Sequence, residues 1–338
     1  MPTTYAIPNG RTVMDATLFT STGSAQTITN QYGFKPDFVW QKARSEADAN
    51  GLVDSVRGVN KIIYSNLTNA EATATNALTV FNSNGYTGGG DAIATNGNTA
   101  VAWQWQAGQG SNTTNTTGSV TSTVSTNTTA GFSVVKWTAP SSGTGTVGHG
   151  LGVAPTFMFW KSTSNSDSWT TYHQSLGANS YLFLNQTGGA STSSGFWGTI
   201  NSSTFTAITG TNCLASISYI SYCWTEIAGF SKFGSYTGNG SADGPFIYLG
   251  FRPKWLMLKR SSDTSNWLIV DSSRSTYNIV TPTLYADLSA VEDSNNLLDF
   301  VSNGFKVRYA GGTGINANGS TFVYAAFAEN PFNYSLAR

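Results

Sequence analysis

Charged residues are scarce in this chain of 338 amino acids: Asp, Glu, Lys and Arg together make up 10% of it, against about a quarter of a typical soluble domain. The 17 basic residues are balanced by 17 acidic ones, so the formal net charge is zero. A chain without a basic excess does not attract phosphate backbones or anionic lipid headgroups. We therefore expect no nucleic-acid partner, and we expect hydroxyl and amide side chains to keep the protein soluble.

Long apolar runs are also missing. Residues 1–8 contain neither a basic stretch nor an apolar one, so they do not have the pattern of a signal peptide. No window of the sequence approaches the roughly 18 uninterrupted apolar residues of a membrane-spanning helix. We therefore expect no membrane insertion.

Histidine and cysteine are rare, with two of each. A structural zinc site needs about four such ligands in short, clustered pairs, so no metal site and no cofactor are expected. Cys213 and Cys223 flank an apolar run that predicts a strand. An extended run of that length separates its ends by roughly 33 Å, far beyond the ~7 Å that a disulfide spans. We predict two free, buried thiols, which suit a reducing cytoplasm.

In place of these features the chain has a threefold internal repeat. Each copy contains Gly, two further residues, Pro, and then an apolar run that ends in Lys, at residues 33–42, 152–161 and 250–259. The prolines of these anchor segments are Pro36, Pro155 and Pro253. From the proline to a later polar turn the distances are 48, 48 and 50 residues. Such constant spacing predicts the duplication of one structural unit.

An acid and a base recur behind the anchor segment. Asp54 and Arg57 follow the first anchor, and Asp271 and Arg274 follow the third. The middle copy has a histidine and a leucine there, so acid and base are lost together. Joint loss is expected of an ion pair, because one buried charge left without its partner is costly. We predict that these four residues are structural.

The residue types indicate strands. Val, Ile, Phe, Tyr, Trp and Thr dominate short runs that are bounded by Gly, Pro, Asn and Ser. Asn-Gly pairs at 84–85 and 303–304 predict tight hairpins, since a type I′ turn needs positive φ at both central residues. Short helical turns are expected only near 67–72 and 288–293, where Leu and Glu are four residues apart.

We therefore predict an all-β fold made of three diverged, tandem antiparallel β-sandwich modules of the jelly-roll or lectin-like kind. The predicted parts are an N-terminal arm at 1–15, a first module at 16–108, a Gly-, Ser-, Thr- and Asn-rich linker at 109–130, a second module at 131–229, a third at 230–332 and a C-terminal tail at 333–338. The segment 109–130 fits equally an extended strand that pairs onto a neighbouring module.

No pattern in the sequence indicates catalysis. Residues 143–148 match the dinucleotide fingerprint, but glycines and a proline follow where the helix that binds the pyrophosphate must begin. No Gly-x-Ser-x-Gly elbow occurs between a strand and a helix, and the recurrent acids are accompanied by bases. We expect no catalytic residue and no enzyme activity.

Aromatic residues are the remaining candidates for ligand contact, with 10 Trp, 15 Tyr and 19 Phe. Those that alternate along predicted strands, such as Trp103 and Trp105, are expected in the core. Four others are near polar loops, where they would stack on sugars: Trp169, Tyr172, Trp197 and Tyr236.

The segments that begin at Gly33, Gly152 and Gly250, with the closing Ala-Phe-Ala-Glu-Asn-Pro-Phe at 326–332, resemble a family of repeated, β-rich virion structural proteins of marine tailed bacteriophages, which are often tail-fibre-like. The resemblance covers nearly the whole chain. It implies a non-enzymatic protein of the virion surface that is synthesised in the cytoplasm of the host bacterium. It carries over no catalytic or binding residue.

The favoured function is that of a tail-fibre or receptor-binding protein, expected to be a homotrimer, which binds other virion proteins and contacts a glycan or protein of the host envelope. Low charge and many amides suit weak, multivalent contacts in which avidity replaces single-site affinity. One alternative is a capsid-decoration or head-fibre protein bound to the major capsid protein. The third, a glycan-cleaving tailspike, requires a pair of carboxylic acids at a cleft.

Overall fold

The computed structural model describes residues 4–310 and 314–332 of the chain. In these ranges the backbone forms 27 β-strands, two short 3₁₀ turns at Gly10–Thr12 and Gln174–Leu176, and no α-helix. The predicted all-β fold class is confirmed. Within the same ranges no helix has the length and apolar character needed to cross a membrane. The predicted C-terminal tail at 333–338 lies outside the described residues.

The strands fall into three consecutive sets, which we call the first, second and third modules. The first contains β1 (Met14–Thr20), β2 (Gln26–Thr29), β3 (Phe38–Ala43), β4 (Gly51–Asp54), β5 (Lys61–Tyr64), β6 (Ala72–Thr73), β7 (Leu78–Asn82), β8 (Gly85–Gly88) and β9 (Thr99–Trp105). The second contains β10 (Thr113–Asn115), β11 (Ser122–Asn127), β12 (Phe132–Thr138), β13 (Thr144–Gly148), β14 (Phe157–Ser162), β15 (Thr170–His173), β16 (Ser180–Phe183), β17 (Ser191–Thr192), β18 (Thr204–Ile208) and β19 (Ser218–Trp224). The third contains β20 (Ser231–Thr237), β21 (Phe246–Tyr248), β22 (Phe251–Arg260), β23 (Leu268–Asp271), β24 (Val280–Tyr285), β25 (Asp293–Val301), β26 (Gly304–Val307) and β27 (Thr321–Pro331).

The main sheet of each module has the same strand order. It runs β1-β9-β3-β4-β5 in the first module, β12-β19-β14-β15-β16 in the second and β20-β27-β22-β23-β24 in the third, and neighbouring strands are antiparallel. The anchor glycines Gly33, Gly152 and Gly250 have φ of 73°, 74° and 84°, a left-handed conformation that residues with a Cβ rarely adopt. Three repeated segments of sequence thus introduce three topologically equivalent sheets.

The outer face of each main sheet is covered by further strands. In the first module Val39 packs with Ile28 beneath a sheet of β2, β8 and β7. In the second, β13 and β18 form the cover, and the rings of Trp160 and Phe205 lie 5.3 Å apart between centroids. In the third, β25, β26 and β21 continue the main sheet and pack back onto β22. Each module therefore has two layers, while its jelly-roll or lectin-like class stays a prediction.

The Asn-Gly pair at 84–85 lies at a hairpin, but the turn is one residue earlier than predicted. Asn82 pairs with Gly85, so the two residues between them form the loop, and neither has a positive φ. The turn is therefore not type I′. Glycine is needed for another reason, because a Cβ at Gly85 would lie 2.1 Å from the carbonyl oxygen of Ile28 on β2. The pair at 303–304 has the same register.

The inner faces of the three main sheets meet in one aromatic core. On the last strand and the anchor strand of each module, Phe38 is opposite Trp105, Phe157 opposite Trp224 and Trp255 opposite Phe327. The rings of Trp105, Trp224 and Phe327 lie 6.2, 5.7 and 6.2 Å from one another between centroids. The modules are therefore not separate units joined in tandem, since each needs the other two to bury its inner face.

Equivalent hydrogen bonds join the modules in a closed ring. Backbone N–H groups donate to backbone carbonyl oxygens from Glu71 to Thr163 at 2.9 Å, from Ala190 to Ser261 at 2.8 Å and from Glu292 to Arg44 at 2.8 Å. Side chains repeat the pattern, with Trp169 Nε1 donating to Tyr64 at 2.8 Å, Trp267 Nε1 to Phe183 at 3.0 Å and Asn50 Nδ2 to Tyr285 at 2.8 Å. These bonds link the first module to the second, the second to the third and the third to the first.

The same bonds explain a failed prediction of local structure. The regions at 67–72 and 288–293, predicted as helical turns, are irregular or extended. They carry the backbone N–H groups of Glu71 and Glu292 that cross to a neighbouring module. Tertiary hydrogen bonds have therefore overridden a weak helical preference.

The segment 109–130 belongs to the sheet of the second module. It contains β10 and β11, and β11 pairs along its length with β12. Its start is fixed by the carboxylate of Asp37, which accepts the N–H groups of Ala107, Gln109 and Gly110 at 2.8, 2.7 and 2.7 Å. The extended-strand interpretation therefore describes this segment, and the linker interpretation does not.

Candidate functional site

The recurrent acids and bases form buried ion pairs with the same geometry. Asp54 Oδ2 accepts from Arg57 Nε at 2.5 Å, and Asp271 Oδ2 accepts from Arg274 Nε at 2.6 Å. All four side chains are at most 1% exposed. Burial disfavours the charged form of Asp271 most strongly, but the charge of Arg274 and the hydrogen bonds from Trp103 and Arg274 together outweigh it, so the pKa of this carboxyl lies below its usual value. Both pairs are therefore parts of the core.

Each pair is contacted by the last main-sheet strand of a neighbouring module. Tyr222 of the second module donates its hydroxyl to the aspartate of the first module at 2.8 Å, and Trp103 of the first donates its indole N–H to the aspartate of the third at 3.0 Å. In the second module His173 takes the same place, and its Nε2 lies 3.0 Å from the carbonyl oxygen of Tyr324 in the third. Burial lowers the pKa of His173 to about 4. These residues lie inside the module interfaces and not at an open site.

The lysines that end the three anchor segments are also internal. Lys42, Lys161 and Lys259 are fully buried, and burial lowers the pKa of each amino group to about 8. Lys42 donates to the carbonyl oxygen of Ser289 in the third module at 2.9 Å, and Lys259 donates to that of Thr187 in the second at 3.0 Å. The sequence marks these lysines as part of the repeat, but only the structure shows that two of them hold a loop of the neighbouring module.

The anchor prolines are buried where the anchor strands begin. Pro36 and Pro155 each lie two residues before their strand, and Pro253 lies inside β22. The register between β22 and β27 shifts on both sides of Pro253, as expected for a residue that cannot donate a ladder hydrogen bond. Pro36 and Pro155 therefore lie just before the paired part of their strands, whereas Pro253 lies where the register of β22 shifts.

Three of the four aromatic candidates are buried. Trp169 and Trp197 are fully buried and Tyr236 is 8% exposed. The indole N–H of Trp197 donates to the carbonyl oxygen of Ser180 at 2.8 Å, and the hydroxyl of Tyr236 donates to that of Ile315 at 2.7 Å. These three rings are covered by the protein itself, so in this conformation they leave no open face for the predicted stacking on a sugar. Tyr172 is half-buried and packs edge-on against Trp197 at 5.2 Å.

The remaining motifs form no ligand site in the described part of the chain. No group of three or more His, Cys, Asp and Glu residues is placed to hold a metal ion there. Cys213 and Cys223 are free and buried in the core of the second module. The glycine pattern at 143–148 forms β13, which pairs with β18, so it supplies no helix N-terminus for a pyrophosphate.

Three cavities of similar size open at module boundaries. Their volumes are about 460, 440 and 400 Å³, which lies within the range of ligand pockets. The second, between the first and third modules, contains Arg11 and Glu329, which pair with each other. The third, between the second and third modules, is lined by Glu226 and Lys232. Among their described lining residues, no cavity has more than one carboxylate.

The described residues that line the first of these, which we call the third-module cavity, are uncharged. They include Thr187 of the second module and Thr264, Asn266, Tyr285, Asn295 and Tyr309 of the third. Because these residues are scattered over more than a hundred positions of the chain, no local sequence signal could have revealed them. We treat this cavity as the candidate binding site.

The fold and these sites define a class: an all-β protein whose three equivalent sheets share one core and whose recurrent charges are used inside it. Residues 10–331 match the DUF7483 family, described as a domain of unknown function, and the chain belongs to this family. No curated protein matches the chain, and no solved structure matches it.

Proposed function

We propose that the protein is a non-enzymatic component of the virion surface of a tailed bacteriophage, of the tail-fibre or receptor-binding type, and that it contacts glycan or protein of the host envelope. One observation supports this proposal most directly: the recurrent charges of the repeat lie apart from the candidate binding site. The recurrent ion pairs lie inside the module interfaces, whereas the third-module cavity presents amides, hydroxyls and tyrosine rings. Groups of the second kind suit recognition.

The low charge of the chain supports a role in display. Uncharged polar side chains form many weak hydrogen bonds without attracting the polyanions that surround a bacterial cell. Weak contacts gain strength when several copies act together. We therefore propose a homotrimer, and light scattering of the purified protein should give three times the 35.8 kDa of one chain. A mass of one chain would count against the trimer.

The position on the particle tests the main proposal. An antibody raised against the purified protein is applied to intact particles of the phage that encodes this chain, and the label is imaged by electron microscopy. We expect label on the tail or its fibres. Label over the whole head would contradict this and favour the capsid-decoration alternative, and unlabelled particles would remove both.

The absence of catalysis is tested separately. A glycosidase needs two carboxyl groups about 5 to 9 Å apart beside the substrate, and each described cavity has at most one among its described lining residues. We expect no release of reducing ends when the purified protein is incubated with host envelope polysaccharide. Release above that of a heat-denatured sample would favour a tailspike.

A further inference from the structure

The third-module cavity has counterparts in the other two modules. In the third module Leu268 opens β23 and pairs with Tyr285, and both line the cavity. Thr170 and Gly51 hold the same register position in the second and first modules. In the first module this place is filled, since a Cβ on Gly51 would lie 2.6 Å from Cδ1 of the fully buried Ile93.

The second module has a narrower version of the same cavity. Its volume is about 180 Å³, and Thr170 is among its lining residues. Tyr181 and Phe196 take up part of the space, with their rings stacked at 3.8 Å between centroids. The same place is therefore plugged in the first module, narrow in the second and open, at about 460 Å³, in the third.

The walls of the open cavity are held in place by the protein itself. The carboxylate of Asp293 accepts from the hydroxyl of Tyr285 at 2.6 Å and from the amide of Asn295 at 2.9 Å. The carbonyl oxygen of Thr187, the lining residue from the second module, accepts from the buried amino group of Lys259 at 3.0 Å. A site whose groups are fixed before binding loses little conformational entropy when it binds.

The chemistry of the lining selects one class of ligand. Tyr285 and Tyr309 offer aromatic rings, while Asn266, Asn295 and Thr264 offer amides and a hydroxyl, which both donate and accept hydrogen bonds. A sugar ring has one face of C–H groups and a rim of hydroxyls, so it matches both. Uncharged walls give no counter-ion to an acidic sugar.

We propose that the third-module cavity binds a neutral sugar residue of a glycan, with a tyrosine ring against its apolar face and amide and hydroxyl side chains on its hydroxyl groups. This inference rests on the proposed function, because it names the part of the protein that contacts the host glycan. The equivalent places in the first and second modules, which are filled and narrow, bind no sugar in this proposal.

Saturation-transfer NMR tests the site with D-glucose, D-galactose, D-mannose and N-acetyl-D-glucosamine as separate probes. We expect transfer to the ring protons of at least one of them from the unmodified protein. Thr264→Trp fills the cavity from an exposed position, and Asn266→Ala removes one amide. Both variants should weaken binding at least tenfold. Tyr248→Ala removes a tyrosine from the cavity of about 400 Å³ and should bind as the unmodified protein does.

The outcomes separate this inference from the proposal on which it rests. No transfer to any of the four sugars would overturn the site, and so would binding that survives both cavity variants or is lost in Tyr248→Ala. The thermal midpoint of each variant is measured first, so that unfolding is not mistaken for lost binding. If the antibody labels tail fibres but the binding results contradict the cavity, only the sugar site is refuted and the proposed function stands. If the protein binds a sugar in the cavity but the antibody finds no protein on virions, only the virion proposal is refuted and the sugar site stands.

Discussion

The first and third modules carry a buried Asp–Arg pair at the place where the second carries His173 and Leu176. All three places are bonded to the last main-sheet strand of a neighbouring module. In two of them a carboxylate accepts from a side chain, and in the third an imidazole lies beside a backbone carbonyl. The contact between modules is thus kept at all three places, although the groups that form its hydrogen bond differ. A catalytic acid could not be exchanged in this way, so the comparison indicates that the position serves the joining of modules.

The largest effect is expected from breaking one pair. Arg274→Leu leaves the carboxylate of Asp271 buried without its counter-charge, which should lower the free energy of unfolding by about 3 to 5 kcal/mol. Glu292 loses one partner in the same variant but keeps Arg44, whose guanidinium lies 2.7 Å away. Urea unfolding measures the loss. A change below about 1 kcal/mol would show that the pair is dispensable.

The next effect is a pH dependence that comes from His173 of the second module. The pKa of His173 is about 4 in the folded protein, against 6.5 in a free side chain. Between these pH values the unfolded chain takes up a proton that the folded chain does not. The contribution of His173 to the free energy of unfolding is therefore complete above pH 6.5 and is lost as the pH drops towards 4. The expected loss is about 3 kcal/mol.

The free energy of unfolding of the protein and of a His173→Gln variant, followed from pH 7.5 to pH 4, measures this effect. The difference between them isolates the imidazole, because Asp287, whose pKa burial raises to about 6, titrates in both. Parallel curves would contradict the prediction.

A smaller loss is expected when the third module is given the residues of the second. In Asp271→His combined with Arg274→Leu no charge is left unpaired, and the new imidazole can accept from Ser273 N–H as His173 accepts from Ser175 N–H at 3.2 Å. We expect this double variant to be at least about 2 kcal/mol more stable than Arg274→Leu alone. A double variant as unstable as the single one would mean that the two chemistries are not interchangeable.

The smallest effect should come from an exposed pair of the same module. Arg260 and Asp263 lie 3.1 Å apart, but the Asp263 side chain is 60% exposed. Solvent screens such a pair, so Asp263→Asn should change stability by less than about 0.5 kcal/mol in the same urea experiment. A loss of stability as large as that of Arg274→Leu would show that burial does not explain the large effect expected for the first variant.

The strands, the hairpins and the repeat of this fold could be predicted, but its turn types and its assembly could not. Residue types and the spacing of the anchors indicate strands, hairpins and three copies of a unit. Alternation along a strand also places Trp103 and Trp105 on a buried face, yet it does not say what covers that face. The cover is the inner face of two other modules, whose contacts, such as Trp105 with Trp224, join residues far apart in the chain.

The site residues also include some that the sequence could predict and some that it could not. Joint loss in the middle copy was enough to predict that Asp54 and Arg57 act together, because two charges that pair must be lost as a pair. Proximity to polar residues was not enough to place Trp169 or Trp197, since a single internal carbonyl oxygen satisfies an indole N–H and lets the ring be buried. The third-module cavity has walls from two modules and leaves no local pattern.

The three interfaces form a closed ring, so the arrangement of the modules around the core does not depend on which module comes first in the chain. The boundary between the third and first modules has a backbone hydrogen bond equivalent to those of the other two, and there Arg11 pairs with Glu329 on the final strand. A permuted chain that starts between the second and third modules, and that connects the third module to the first by a peptide linker, would keep all three boundaries. The peptide link would then cross a different boundary. Comparing the stability of the permuted and original chains would show how much a peptide link across a boundary contributes to the stability of that boundary.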